Sequence, residues 1–306
     1  ELVIKLIKKM ITNIKSKLES KKIIVSGADG FTGRFVCKEL KSRGISFSVI
    51  LRPSSSSKWM IKNKIKFYFA DLNNIEDLTK ILKGNECLIN IASIGFGSAS
   101  KIVKSCEKAH IKRVIFISST SIFTKLNARS KKIRINAEKT IINSNLNWTI
   151  FRPTMIFGSP KDRNMIKLIN WIDKFPFIPI FGKGNNFQQP IYVRDLAWSI
   201  VEIIEKSETF RRIFNLSGPV PLTFNEIIKI ISKNLGKKPL IIYLPYSFFS
   251  KLLSFFEILG FKAFIKSEQI MRLNEDKIFP HIEAKNVFGY NPTEFKKAIF
   301  EEIKIY

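Results

Sequence analysis

From Lys22 to about residue 151, short β-branched or aromatic runs alternate with stretches of helical length. Lys22–Ser26 (KIIVS) leads into a glycine turn over Gly27–Gly33 and then a helical stretch, Arg34–Arg43. Strand-like runs follow at Phe47–Leu51, Ile65–Phe69, Cys87–Ile91, Val114–Ser118 and Trp148–Phe151. Helical segments around Ile75–Leu82, Ala99–His110 and Ile133–Ser144 separate the later ones. Strands that alternate with helices predict an α/β fold with a parallel sheet covered on both faces. Right-handed crossovers then make the sheet doubly wound, with its site at the carboxyl ends of the strands.

After Arg152-Pro153 the regularity loosens. Phe175–Pro190 is rich in Pro, Gly and Asn and reads as loops. A helix over Val193–Lys206, a strand over Ile213–Leu216 and a helix over Phe224–Leu235 are expected next. Leu240–Ile265 is very apolar, but Pro245, Lys251, Glu257 and Lys262 interrupt it, so it reads as a buried or interfacial helix rather than a membrane span. These shifts divide the chain into a sheet domain over 22–158, completed by about 190–220, and a smaller α/β lobe made mainly from 159–306. Residues 1–21 form a basic amphipathic segment. Through Lys22 it holds seven lysines against two glutamates, with apolar residues such as Leu6, Met10, Ile14 and Leu18 near helical spacing. It lacks the long apolar core of a secretory signal. It could lie on an acidic membrane surface, pack on its own domain, or meet a second copy in a homodimer.

Composition narrows the class. At 306 residues, with 45% hydrophobic and 12% aromatic residues, the chain has ample material for a globular core, which excludes a disordered or disulfide-stapled fold. The formal charge of +27 comes from 52 basic against 25 acidic residues. A polyanion binder concentrates such charge in a stripe interleaved with aromatics. Here lysines are spread throughout beside abundant Ile and Asn, so the charge reads as background and no specific nucleic-acid partner is expected. Cys37, Cys87 and Cys106 lie in apolar segments and read as free buried thiols of a reducing, cytoplasmic compartment. With two histidines and no C-x-x-C pair, no metal site is expected.

The chemistry concentrates first in Gly27-Ala28-Asp29-Gly30-Phe31-Thr32-Gly33. Small residues between a strand and a helix let a pyrophosphate approach the helix N-terminal amides, where the dipole favours negative charge. Later motifs follow in order: Ala70-Asp71-Leu72, Asn90-Ile91-Ala92-Ser93, Ile117-Ser118-Ser119-Thr120-Ser121, Phe151-Arg152-Pro153-Thr154, Tyr192-Val193-Arg194-Asp195 and Asn215-Leu216-Ser217-Gly218. With its G-x-x-G-x-x-G spacing, the set resembles the extended and atypical short-chain dehydrogenase/reductase superfamily, which includes nucleotide-sugar epimerases and dehydratases, over about residues 22–300. The resemblance implies a Rossmann-type sheet that binds a dinucleotide through Gly27, Gly30, Phe31, Thr32 and Gly33. It places Asp71 and Leu72 near the adenine, Ala92 along the cofactor and Pro153 at the nicotinamide. An acid after the second strand would select against a 2′-phosphate, and Arg52 stands there instead, which favours NADP(H) over NAD(H).

Hydride transfer to or from an alcohol also needs a proton relay. The family supplies it with a hydroxyl and a Tyr-x-x-x-Lys pair. Ser119 and Ser121 match the hydroxyl positions. Aligning Glu138 with the acid that commonly follows the pair puts Arg134 at the lysine and Ser130 at the tyrosine. An arginine there can hold a ribose or stabilise negative charge but cannot surrender a proton. The resemblance therefore implies an NAD(P)-dependent oxidoreductase, epimerase or dehydratase acting on a nucleotide sugar or related carbonyl or alcohol, with Ser119, Ser121 and Arg134 as its catalytic candidates. The missing pair implies the alternative, a non-catalytic NADP(H)-binding structural or sensing protein. Tyr192 is the nearest other phenol and reads as a packed aromatic. Lys161, Arg163, Lys183, Arg211 and Arg212 are candidates to meet an anionic substrate.

Overall fold

The computed structural model describes residues 22–245, 272 and 274–306. The expectations for the N-terminal segment and for most of the apolar stretch 240–265 lie outside these residues. Seven parallel strands form the central sheet: β1 (Ile23–Ser26), β2 (Phe47–Leu51), β3 (Lys66–Phe69), β4 (Cys87–Asn90), β5 (Arg113–Ile117), β6 (Asn147–Pro153) and β11 (Arg212–Leu216). Their order across the sheet is β11-β6-β5-β4-β1-β2-β3. The order reverses between β1 and β4, and in an open α/β sheet ligands bind at that switch point.

One face of the sheet is covered by α1 (Phe31–Ser42) and α7 (Val193–Glu202), which share a core with Val25, Leu51, Ile117 and Phe214. The other is covered by α3 (Ile75–Leu82), α4 (Ala99–Lys108) and α5 (Arg129–Ile142), over Ile24, Leu88, Val114 and Ile150. Strands β1, β4 and β5 are buried along their whole length, as a sheet covered on both sides requires. A short helix, α2 (Lys58–Lys62), follows β2. Cys37, Cys87 and Cys106 are free and buried as expected, and burial pushes the Cys37 thiol up to about 12.

A smaller lobe has its own core around Phe157, Ile169, Ile180, Ile231 and Ile299. It is built from α6 (Met165–Lys174), β8 (Phe177–Phe181), α8 (Phe224–Leu235), β13 (Leu240–Leu244) and α10 (Phe295–Lys304). Two-residue strands β7 (Ile156–Phe157), β9 (Phe187–Gln188), β10 (Ile191–Tyr192) and β12 (Leu222–Thr223), the short helix α9 (Ile282–Phe288) and 3₁₀ turns at Ile94–Phe96, Thr120–Phe123 and Ser207–Thr209 are the other described elements.

Three expectations are corrected. Phe175–Pro190 holds β8 and β9 rather than loops alone, because Phe177-Ile178-Pro179-Ile180-Phe181 buries alternate residues Ile178 and Ile180. Leu240 begins a strand, not a helix, since β13 pairs in parallel with β8. Helix α7 stops at Glu202, short of Lys206.

Candidate functional site

The turn between β1 and α1 is built for close backbone approach. Gly27 has φ +72°, and a Cβ there would lie 2.5 Å from the Ala92 nitrogen. At Gly33 a Cβ would meet the Gly27 carbonyl at 2.1 Å. Both positions therefore exclude any side chain. Gly30 caps α1 without a side-chain hydrogen bond, so the first-turn amides remain for an anion. The ends of β1 and β4 are locked together by Ser26, whose hydroxyl donates to Asn90 Oδ1 at 2.7 Å, while Asn90 Nδ2 donates to the Ala92 carbonyl at 2.9 Å.

A cleft of about 50 Å³ opens beside this turn, lined by Gly27, Asp29, Leu51, Arg52, Leu72 and Ala92 among others. It thus unites Gly27, Arg52, Leu72 and Ala92, four of the residues singled out from the sequence. The Asp29 carboxylate accepts from the Ser55 hydroxyl at 2.6 Å, which ties it to the loop after β2. Asp71 is not among the cleft residues; its carboxylate accepts from the backbone and side chain of Asn73. Phe31 packs edge-on against Phe35 at 5.8 Å and reaches the core of the smaller lobe, while Thr32 is half-buried in the first turn. Arg34 escaped the sequence reading. Its Nε donates to the Asp29 carbonyl at 3.1 Å and its guanidinium lies 5.3 Å from the Trp59 ring centre. Arg34 and Arg52 thus flank the turn and the end of β2, and neither has a carboxylate partner among the described residues. Glycines that exclude a Cβ, open amides, an apolar cleft and two arginines fit a dinucleotide, including one with a 2′-phosphate.

The opposite end of the sheet switch is occupied differently. Ser119 caps the turn after β5 and accepts from the Ser121 amide at 3.1 Å. The Ser121 hydroxyl is buried with no hydrogen-bond partner among the described residues. Arg134 donates to the Ser130 carbonyl at 3.3 Å, one turn back on α5, and its guanidinium lies against Gly95, where a Cβ would meet Cζ at 3.0 Å. Burial and the nearby Arg272 charge hold the Arg134 guanidinium below its ordinary pKa. Pro153 ends β6, and its carbonyl accepts from Thr120 Oγ1 at 3.3 Å.

Behind these residues sits a buried cluster. Glu138 is 3% exposed, accepts from the Ser118 hydroxyl at 2.5 Å and forms an ion pair with Arg152, whose Nε reaches both carboxylate oxygens at 3.1 Å. Arg152 in turn lies 5.2 Å from the Phe123 ring centre. Residues 275–281 cross the carboxyl ends of β5, β6 and β11. Glu275 accepts from Thr124 Oγ1 at 2.6 Å and from the Lys125 amide at 2.8 Å. Phe279 stacks on Phe123 at 5.5 Å, and the Ser217 hydroxyl donates to the Phe279 carbonyl at 2.7 Å. Lys277 donates to Gln188 Oε1 at 3.1 Å, and burial lowers its pKa to about 8. The sequence carried no signal for this strap, which follows an irregular region and has no periodicity.

The remaining candidates are placed as follows. Tyr192 is buried against Phe157 at 5.8 Å, and burial raises its phenol, the wrong direction for a base at neutral pH. Arg211 and Arg212 stand at the start of β11, the amino end of the parallel sheet and far from a carboxyl-end site; Arg212 pairs with Glu283 at 2.6 Å. Lys161, Arg163 and Lys183 are exposed.

Comparison with known proteins agrees with this geometry. A family model described as NAD(P)H-binding matches residues 27–171. The Arabidopsis thaliana NADH dehydrogenase [ubiquinone] 1 alpha subcomplex subunit 9 is 24% identical over 72% of this chain, which spans 60% of that protein's length. Short-chain dehydrogenase/reductase family 42E member 1 of Macaca fascicularis is 19% identical, covering 90% of this chain and 86% of the relative. Among solved structures, the UDP-glucose 4-epimerase of Thermotoga maritima superposes with TM-score 0.73 at 16% identity, over 93% of this chain and 98% of that one.

Proposed function

We propose that this chain, which carries an NAD(P)H-binding domain and resembles the extended short-chain dehydrogenase/reductases but has Ser130 and Arg134 at the places of their tyrosine and lysine, holds NADP(H) without turning it over, as a structural subunit of a larger assembly. The observation that carries this reading is the state of α5 and the turn before it. Ser119 is used to cap that turn, and Arg134 is held by the Ser130 carbonyl against Gly95. When bound, a nicotinamide dinucleotide supplies hydride exchange; at the places of the family's tyrosine and lysine this chain has Ser130 and Arg134, neither of which moves the accompanying proton as an acidified phenol does. The glycine turn and cleft would hold the pyrophosphate and adenosine, and Arg34 and Arg52 favour the 2′-phosphorylated form. A cofactor bound this way stabilises the fold by mass action. The NADH dehydrogenase relatives support a subunit role, since they are named as members of a subcomplex. The three buried free thiols support a reducing compartment, cytoplasmic or organellar.

Ser121 favours a second reading. Its hydroxyl, without a partner among the described residues, could orient the oxygen of a carbonyl, an alcohol or a nucleotide sugar for hydride transfer. One experiment separates the two. Protein loaded with NADPH or NADP⁺ is exposed to sugar nucleotides and simple carbonyls while the absorbance of the reduced nicotinamide is followed. The structural reading expects low-micromolar or tighter NADPH binding, a raised melting temperature and no absorbance change. Turnover that disappears in Ser121→Ala would establish the enzyme instead, and absence of dinucleotide binding would overturn both.

A further inference from the structure

At one end of the smaller lobe, α6 and α10 stop where β8 and β13 start. That end is apolar and open to water. Phe175 is 43% exposed, Phe177 38% and Leu240 68%. Leu240 pairs with Phe177 in the β8–β13 register, so their side chains stand together on the face opposite the buried Ile178 and Ile180. The cluster is held rigid. Trp171 packs on Phe175 at 4.6 Å and on Phe177 at 6.3 Å, and its indole N–H donates to the Phe177 carbonyl at 2.8 Å.

Lysines flank this tip along the chain. Lys174, Lys237 and Lys238 are exposed beside it, and Asp173 is already paired with Lys237 at 3.2 Å. Tyr306 completes the edge: its hydroxyl donates to Asn170 Oδ1 at 2.8 Å. Aromatics and a leucine flanked by the exposed Lys174 and Lys238 are complementary to an interface that is apolar within and anionic at its rim. We propose that this tip docks on an anionic lipid bilayer, with Phe175, Phe177 and Leu240 entering the headgroup region and the lysines meeting lipid phosphates. A second copy fits less well, because a two-fold contact would bring the same lysines face to face. A nucleic acid would meet the lysines but leave Leu240 and Phe177 in water. The proposal is independent of whether the bound dinucleotide turns over.

The test uses the full chain with vesicles of phosphatidylcholine, alone or mixed with phosphatidylserine. Co-sedimentation should occur with the mixed vesicles and weaken several-fold as salt is raised. Phe177→Asp combined with Leu240→Asp should cut it by about tenfold or more, since each removes a buried apolar contact, with circular dichroism and NADPH affinity unchanged. Lys174→Glu combined with Lys238→Glu, on exposed side chains, should give a similar loss and covers the case in which the first pair misfolds. A polarity-sensitive dye on Leu240→Cys should shift to the blue on vesicle addition; the native thiols are buried and out of its way. Equal vesicle binding by wild type and both double variants, or an unshifted dye, would overturn the proposal. So would a dimer in light scattering that the Phe177→Asp/Leu240→Asp variant loses, which would assign the tip to a second copy.

Discussion

Replacing Arg52 by alanine should separate the two dinucleotides. Arg52 is the first residue beyond β2, lines the cleft beside the glycine turn and has no carboxylate partner among the described residues. Arg34 stands on the other side of Asp29, anchored by the Asp29 carbonyl and by Trp59. A 2′-phosphate between them would gain a charge-assisted hydrogen bond from each. Such a bond is worth about 1.5–3 kcal/mol, and the exposure of Arg52 puts it at the lower end. Losing about 1.5 kcal/mol weakens NADPH roughly tenfold. NADH, which offers no charge at that position, should change by no more than about twofold, because nothing it needs has been removed. Adding Arg34→Ala should weaken NADPH further, and it should also loosen the turn by depriving the Asp29 carbonyl of its donor. The assay is calorimetric titration of wild type and both variants with each cofactor at two salt concentrations. Equal weakening of NADPH and NADH by Arg52→Ala, or wild type that prefers NADH, would refute the assignment.

Three further predictions rest on packing and charge. Gly33→Ala places a Cβ 2.1 Å from a backbone carbonyl and should destabilise the fold by about 3 kcal/mol in urea titration, whereas Gly30→Asp, at an exposed cap where a Cβ would lie 3.3 Å from the Gly27 carbonyl, should leave stability nearly intact and abolish NADPH binding by facing the pyrophosphate with a carboxylate. Glu138→Gln or Arg152→Met alone should cost about 3–5 kcal/mol by leaving a buried charge unpaired; Glu138→Leu with Arg152→Met should cost much less than the sum, and additive losses would contradict a coupled pair. Glu302 is fully buried in the smaller lobe beside Asp162, and burial first, then that neighbour, raises its pKa to about 9. The folded chain keeps this proton far above the pH at which an unfolded glutamate releases it, so stability should fall as the pH rises from about 5 to about 8. Glu302→Gln should flatten that slope in chemical denaturation, and an unchanged slope would reject the cause.

The sheet was legible because its signal is local. Fully buried β-branched runs such as Ile23–Ser26 and Arg113–Ile117 between helical stretches leave few alternatives to a parallel sheet. The glycine turn was legible for the same reason, since strand, turn and helix follow one another within about a dozen residues. The smaller lobe was not. Strand β8 pairs with β13 across more than sixty residues, and two Gly or Pro positions within Phe177–Gly182 masked a strand whose inward side chains alternate. Arg34 escaped because its partners are a backbone carbonyl and a tryptophan on another element, which no spacing announces.

The catalytic end shows most clearly what one dimension withholds. In the sequence Glu138 served only to set the register of α5, and Arg152 read as part of a strand-end motif. The sheet gives both a different meaning. Ile117 pairs with Phe151, and the Ser118 amide donates to the Phe151 carbonyl at 2.7 Å, so the residues that follow, Ser118 and Arg152, lie side by side at the ends of β5 and β6. Helix α5 crosses above them and lowers Glu138 between the two. The acid is thereby committed to a buried ion pair and a serine. On the structural reading proposed above, Ser130 and Arg134 in place of the tyrosine and lysine and this engagement of Glu138 point in the same direction, towards a rigid wall beside the dinucleotide rather than a proton-handling site.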